Sequence, residues 1–144
     1  MRSTGRMAIA LGALMTGSAA LAHHSAAMFD TSKCLTVTGA IRNFQWMNPH
    51  SWVWITTPTS SGASDIWGFE IPAPSQLVAL DSHWSHNSLL KGDKVTISYS
   101  PLKDGRHGGL ANAITLPSGK MMHGAPNAVQ CETANWRGTA GAKK

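Results

Sequence analysis

The feature that most constrains the fold of this chain is a series of short segments with strand-like alternation, interrupted once by a helical segment. Apolar and polar residues alternate with a period of two in segments 35–46, 51–57, 65–71, 94–100 and 110–116. Residues 75–84 instead place Leu77, Leu80 and Trp84 at helical spacing. The order of three strands, a helix and two strands is typical of an OB-like Greek-key barrel. We therefore predict a mostly β protein, a small five-stranded barrel with one short helix between strands three and four.

In the first segment, 35–46, the apolar residues switch from one face of the expected strand to the other. Val37 and Ile41 lie on one face of the expected strand, whereas Phe44 and Trp46 fall on the other. A change of phase within one strand indicates an irregularity in the ladder, so we predict a β-bulge or a strong coil near Arg42 and Asn43.

The N-terminus has the three parts of a secretory signal peptide. Arg2 and Arg6 precede a short apolar run, which ends in the small-residue motif 20–22. The run is shorter than the roughly 20 apolar residues that a membrane span needs. We predict that residues 1–22 are cleaved after Ala22, and that the mature protein is periplasmic or secreted and has no membrane span.

The remaining chain is expected to form one domain with two flanking segments. We predict an N-terminal arm at 23–34, the barrel at 35–120 and an irregular C-terminal tail at 121–144. Cys34 and Cys131 are the two cysteines of the chain. In an exported protein they are expected to form a disulfide, and metal ligation by cysteine is the alternative.

Charge and motif content exclude several classes of function. The formal net charge of +5 falls to +3 once Arg2 and Arg6 leave with the signal peptide. A nucleic-acid-binding protein would carry clustered Lys and Arg, so we predict no nucleic-acid partner. Paired catalytic carboxylates, a Ser-His-Asp set and a phosphate-binding loop do not appear in the sequence, which therefore does not indicate an enzyme.

Several short stretches of the chain resemble a known family. They are Ala22-His23-His24-Ser25, Met28-Phe29-Asp30, Phe44-Gln45-Trp46, Asn48-Pro49-His50-Ser51-Trp52, Lys91-Gly92-Asp93-Lys94-Val95, Pro101-Leu102-Lys103-Asp104-Gly105 and Leu116-Pro117-Ser118-Gly119. Across residues 22–120 the chain resembles the small exported bacterial proteins catalogued as domain of unknown function 6152. The resemblance implies a signal peptide followed by a small β-barrel. It brings no established function, so no catalytic residue is transferred.

Histidines at the predicted mature N-terminus indicate a metal site. Cleavage would give His23 a free amine beside its imidazole, and His50 could add a third nitrogen. Such a set suits copper, with zinc as the alternative, and resembles the histidine brace of exported copper chaperones and copper oxygenases. His24 could chelate in place of His23, and Met47 and His123 are weaker auxiliary candidates. We predict a metal-binding protein that uses these residues.

An aromatic surface provides the alternative hypothesis. Trp52 and Trp54 lie on the face of the strand opposite to Val53 and Ile55, and Trp46 lies just across the turn. These side chains could bind a small apolar ligand or another exported protein, with the histidines incidental. The other possibility is that a terminal segment of the chain covers them.

Two carboxylates could fix the orientation of a histidine ligand by hydrogen bonding to its ring. Asp30 and Glu70 are the candidates. A turn or surface role is the alternative for both, and for Asp30 it is the favoured one. We expect His83, His86 and His107 at the surface or in turns. A further hypothesis is an oxidative copper enzyme, which would require an open coordination position.

Overall fold

The computed structural model describes residues 26–125. Within this part of the chain the strands are β1 Leu35–Gln45, β2 Ser51–Pro58, β3 Ser64–Ile71, β4 Lys94–Pro101, β5 Gly108–Thr115 and β6 Met121–His123. One α-helix, α1 Pro74–Leu80, lies between β3 and β4, and a short 3-10 helix covers Ala26–Met28.

The first five strands close into a barrel. Antiparallel pairing gives the order β3-β2-β1-β4-β5, and a parallel pairing of β3 with β5 joins the two edges. That parallel ladder runs from Gly68 opposite Gly108 to Glu70 opposite Leu110. The predicted OB-like barrel of five strands with one short helix between the third and fourth strands is therefore confirmed.

Strand β1 serves both halves of the barrel because it bends at a bulge. Its first half pairs with β4 and its second half with β2, and the register with β2 shifts between Ile41 and Asn43. The bulge predicted from the change of phase is confirmed at this position. Beyond it, Phe44 lies opposite the fully buried Val53, so its side chain belongs to the inward-facing set.

The core fills the barrel and continues under the helix. Alternate residues of the strands face inward, and Leu77, Trp84 and Leu89 cover one end. The largest fully buried side chains are Phe69, Ile41, Ile55, Ile71, Leu77, Ile97, Ile114 and Met122. Burial of side chains of this size contributes roughly 1.5–3 kcal/mol each, which makes the strand alternation the main determinant of the fold.

The helix is shorter than the sequence predicts. We expected residues 75–84, but α1 ends at Leu80 and Asp81 is extended. The Asp81 carboxylate accepts a hydrogen bond from the His83 N–H at 2.9 Å, a local turn that competes with further helix. Trp84 therefore lies beyond the helix, yet it is buried because the turn directs it back onto the core.

A sixth strand extends the sheet where we expected the irregular tail to begin. Strand β6 pairs with β5 from Ala113 opposite His123 to Thr115 opposite Met121. The indole N–H of Trp84 donates a 2.8 Å hydrogen bond to the His123 carbonyl, which fixes the strand. Its three residues are too few to produce a recognisable alternation in the sequence.

The predicted signal peptide and the histidines that follow it lie outside the described residues, as does the chain beyond residue 125. Within 26–125, no helix combines the length and apolar character that a bilayer crossing requires.

Candidate functional site

A histidine and a carboxylate meet at the start of β2. His50 ends the turn between β1 and β2, and Glu70 lies on β3 opposite Trp52. Trp52 and Glu70 are register partners and lie on the same outer face of the sheet. His50 Nδ1 lies 2.5 Å from Glu70 Oε1, and the two side chains are 32% and 11% exposed. The nearly buried carboxylate therefore fixes the orientation of a partly buried imidazole.

This pair forms one wall of a pocket of about 450 Å³. The apolar part of the pocket consists of Ile71, Pro72, Ala79, Leu80, Leu110 and Ala125. His50, Glu70 and Gln76 supply its polar groups. A mainly apolar cavity with a few convergent polar groups has the composition of a small-molecule site.

The helix positions one polar group of the pocket. The Gln76 side-chain oxygen accepts a 3.1 Å hydrogen bond from the Ala73 backbone N–H, as in a capping box. This bond holds the amide at the first turn of α1, whereas Leu80 at the last turn is 44% exposed and lies at the pocket rim. The two ends of α1 thus contribute opposite chemistries to the same pocket.

Two stacked tryptophans, Trp52 and Trp54, lie next to the contact between His50 and Glu70. The rings of Trp52 and Trp54 are 5.7 Å apart between centroids, with an interplanar angle of 18°. A Cβ atom at Gly68 would lie 2.5 Å from Trp54 Cζ3, so the indole of Trp54 rests directly over the glycine. The absence of a side chain at Gly68 is what allows the aromatic pair to lie against β3.

The structure separates Trp46 from this pair. Trp46 stacks on Trp84 at 6.3 Å and contacts Phe44 edge-on at 5.7 Å, next to the core. The bulge in β1 places Trp46 in the inward-facing phase, whereas Trp52 and Trp54 are in the outward-facing phase of β2. The three tryptophans that we grouped therefore do not form one surface.

A second histidine–carboxylate contact lies at the other end of β3. His107 Nδ1 is 3.6 Å from Asp65 Oδ2, and the side chains are 50% and 45% exposed. The His107 ring stacks on Trp67 at 4.5 Å with an interplanar angle of 4°. This histidine therefore covers an inward-phase tryptophan at the end of the barrel, consistent with the surface position that we expected.

The described residues contain one of the three main metal ligands that we predicted. His23 and His24 lie outside the described residues, so their distance from His50 stays untested. Within residues 26–125, no three His, Cys, Asp or Glu side chains are grouped as a metal site requires. Of the auxiliary candidates, Met47 is exposed in the turn beside His50 and His123 ends β6.

The remaining candidates have local contacts. Asp30 hydrogen-bonds Ser32 and forms a 2.9 Å ion pair with Lys33, and these bonds lower its pKa from the ordinary value. Asp30 therefore has the turn role that was the alternative for it. Cys34 Sγ lies 3.2 Å from Ser98 Oγ. Cys131 lies outside the described residues, so the Cys34–Cys131 disulfide stays a prediction.

The comparison with known families agrees with the fold and the sequence motifs. Residues 12–112 match the model of a family of unknown function, DUF6152. The chain belongs to this family. No protein with a curated description matches the chain. Membership in DUF6152 therefore confirms the resemblance seen in the sequence and leaves the function to be argued from the site.

Sequence reasoning identified His50 and Glu70 but missed the pocket beside them. The pocket depends on Gln76, Leu80 and Leu110, which come from elements that are distant in sequence. The one available signal was Glu70 itself, the only glutamate inside the predicted barrel, within an otherwise apolar strand.

Proposed function

We propose that this member of DUF6152 is an exported metal-binding protein, with copper as the ion and zinc as the alternative. His50 supplies one imidazole ligand, and the mature N-terminus supplies the others through His23 or His24. The single observation that supports the proposal is the contact between Glu70 and Nδ1 of His50. Metal carriage, storage or delivery would follow from a site of this kind on a small exported barrel.

The chemical argument rests on how metal-binding imidazoles are held. A histidine ligand usually donates its other ring N–H to a carboxylate or carbonyl, which fixes the tautomer and raises the basicity of the ligating nitrogen. Glu70 occupies that place on Nδ1, so Nε2 is the nitrogen that would bind the ion. One imidazole is insufficient for a tight copper site, which is why the proposal needs the nitrogens of the N-terminus.

The decisive experiment compares the protein that begins at His23 with a form carrying one extra residue before it. We expect the Cu(II) affinity measured by competitive titration to fall at least 10-fold in the extended form, because the terminal amine is then an amide. Glu70→Gln in the processed protein should weaken binding about 10–100-fold. Equal affinity of the processed and extended forms would remove the amine from the site, and unchanged affinity in His50→Ala would refute the site as a whole.

Metal binding should also depend on pH. The ordinary pKa of a terminal amine is about 7.7–8.0 and that of an imidazole about 6.5, and both groups must lose a proton to bind. We expect Cu(II) affinity to fall steadily from pH 8 to pH 5 in the processed protein. A flat profile over this range would contradict binding by the amine.

The second candidate is an exported binding module that uses an aromatic surface. The observation that favours it is the stacked pair Trp52–Trp54 on the outer face of the barrel. A small apolar ligand or another exported protein would then bind against the two indoles. In this case Trp52→Ala would abolish binding of the partner and leave metal affinity unchanged, the opposite of the result expected for His50→Ala.

A further inference from the structure

Glu70 is a nearly buried carboxylate in a pocket whose walls are mostly apolar. Only 9% of the residue is accessible to solvent, and glutamate is rarely buried to this extent unless it is paired. His50 contacts Oε1, which accounts for one of the two carboxylate oxygens. The carboxylate nevertheless remains on the wall of an open cavity rather than within the core.

The residues that line the pocket include an acidic side chain but no lysine or arginine to balance it. Its nine lining residues include neither Lys nor Arg, and Glu70 is the only acidic residue among them. The cavity therefore presents one carboxylate against mostly apolar walls. Such a site favours a positively charged guest and disfavours an anion, because a weakly screened charge acts strongly in a region of low dielectric.

The size and the surroundings define the guest further. A volume of about 450 Å³ lies within the range of small-molecule sites. Leu80 and Leu110 offer apolar contact to a guest of this size.

We propose that this pocket binds a small organic cation, an ammonium group that carries an apolar substituent. The ammonium donates hydrogen bonds to the Glu70 carboxylate, and the substituent packs on Leu80 and Leu110 toward α1. This binding does not depend on the metal proposal, because every residue that it requires lies within the described part of the chain.

The test uses three probes of similar shape, compared at one pH. Benzylammonium, benzyl alcohol and benzoate are titrated into the protein in the presence of a metal chelator, and backbone amide NMR shifts are followed. A hydrogen bond to a charged partner contributes about 1.5–3 kcal/mol, which corresponds to roughly 10–100-fold in affinity. We expect benzylammonium to bind at least 10-fold more tightly than benzyl alcohol, with the largest shifts at Ala79, Leu80 and Leu110.

Two variants change the charge of the pocket, one by removing the carboxylate and the other by adding a positive charge at the rim. Glu70→Gln keeps the size of the side chain and should reduce the preference for benzylammonium over benzyl alcohol to about equal affinity. Leu80→Lys changes a residue at the exposed rim, so it leaves the core intact. We expect it to weaken benzylammonium binding and strengthen benzoate binding.

The outcomes that would overturn the proposal are distinct. Equal affinity of the wild-type protein for ammonium and alcohol would show that charge has no role in the pocket. Preferential binding of benzoate, or shifts confined to strands away from α1, would show that the pocket is not a cation site. Because the chelator removes metal, none of these results bears on copper binding by His50.

Discussion

Each end of strand β3 carries a carboxylate that contacts a histidine, but the two contacts differ in their surroundings. At the C-terminal end, Glu70 contacts His50 at 2.5 Å beside the pocket and helix α1. At the N-terminal end, Asp65 lies 3.6 Å from His107, with both side chains about half exposed. An exposed ion pair contributes little to stability, whereas removing one partner of a buried pair is costly. Burial, rather than residue type, therefore distinguishes a candidate site from an ordinary surface contact.

The segments that pack over each end of β3 explain why Glu70 is buried and Asp65 is exposed. Glu70 is in the outward-facing phase of β3, where the residues around the pocket bury it. Asp65 lies near the start of β3. The loop before β5 approaches this end of the strand, where the ring of His107 stacks on Trp67. The same strand thus has one end that is enclosed and one that is open.

The largest expected effect concerns the close approach of β3 and β5 between these two ends. A Cβ atom at Gly108 would collide with the Gly68 carbonyl, and Gly108 has φ of 142°. We expect Gly108→Ala to lower the free energy of unfolding by about 3 kcal/mol, through backbone strain and overpacking together. Urea denaturation measures this change.

A matched control for that substitution lies three residues earlier, in the loop before β5. Gly105 has φ of 78°, but nothing lies within 4 Å of the position that a Cβ would take. Gly105→Ala should therefore cost only the backbone term, about 1 kcal/mol. If both substitutions cost the same, the contact between β3 and β5 is looser than the structure indicates.

The second prediction compares the two carboxylates directly. We expect Glu70→Ala to lower the free energy of unfolding by about 1–3 kcal/mol, because the partly buried imidazole of His50 loses its contact with the carboxylate. Asp65→Ala should change it by less than about 0.5 kcal/mol. Both values come from urea denaturation at one pH, and equal costs would remove the distinction between the two ends of β3.

The smallest expected effect is a pH dependence of stability that arises from Tyr99, which packs near the open end of β3. Tyr99 contacts Trp67 and Phe69 edge-on, and burial raises the pKa of its hydroxyl above the ordinary value of 10.0. The unfolded chain then releases this proton at a lower pH than the folded protein does. The contribution of Tyr99 to stability is therefore fully present below pH 10 and is lost as the pH rises from 10 toward the folded-state pKa.

Tyr99→Phe tests this prediction. We expect wild-type protein to lose more stability than the variant between pH 9 and pH 11, as measured by the midpoint of urea denaturation. Parallel profiles for the two proteins would show that Tyr99 is better solvated than its position suggests.

The sequence predicted most of the barrel because inward burial imposes a period of two on each strand. The change of phase before Phe44 also predicted a bulge or a strong coil, and the structure has a bulge there, which puts Ile41 and Phe44 on the same side of the sheet. The end of the helix was missed because the side chain of Asp81 forms a turn that periodicity does not report.

The site was less accessible to sequence reasoning. His50 and Glu70 stood out as a histidine in a turn and a glutamate in an apolar strand, but their contact depends on the register of β2 and β3. Trp46 was grouped with Trp52 by proximity in sequence, although the bulge directs it to the core instead. Contacts between elements that are distant along the chain leave no local pattern, so the pocket itself could not be predicted.

The parallel ladder between β3 and β5 has a consequence for the order of folding. It spans three residue pairs and joins segments separated by the helix and the whole of β4. The entropy of closing so long a loop must be overcome before the ladder contributes any stability, whereas β1, β2 and β3 are linked by short turns. We therefore expect the β1–β2–β3 meander to form first, and the barrel to close only when β5 arrives beside Gly68.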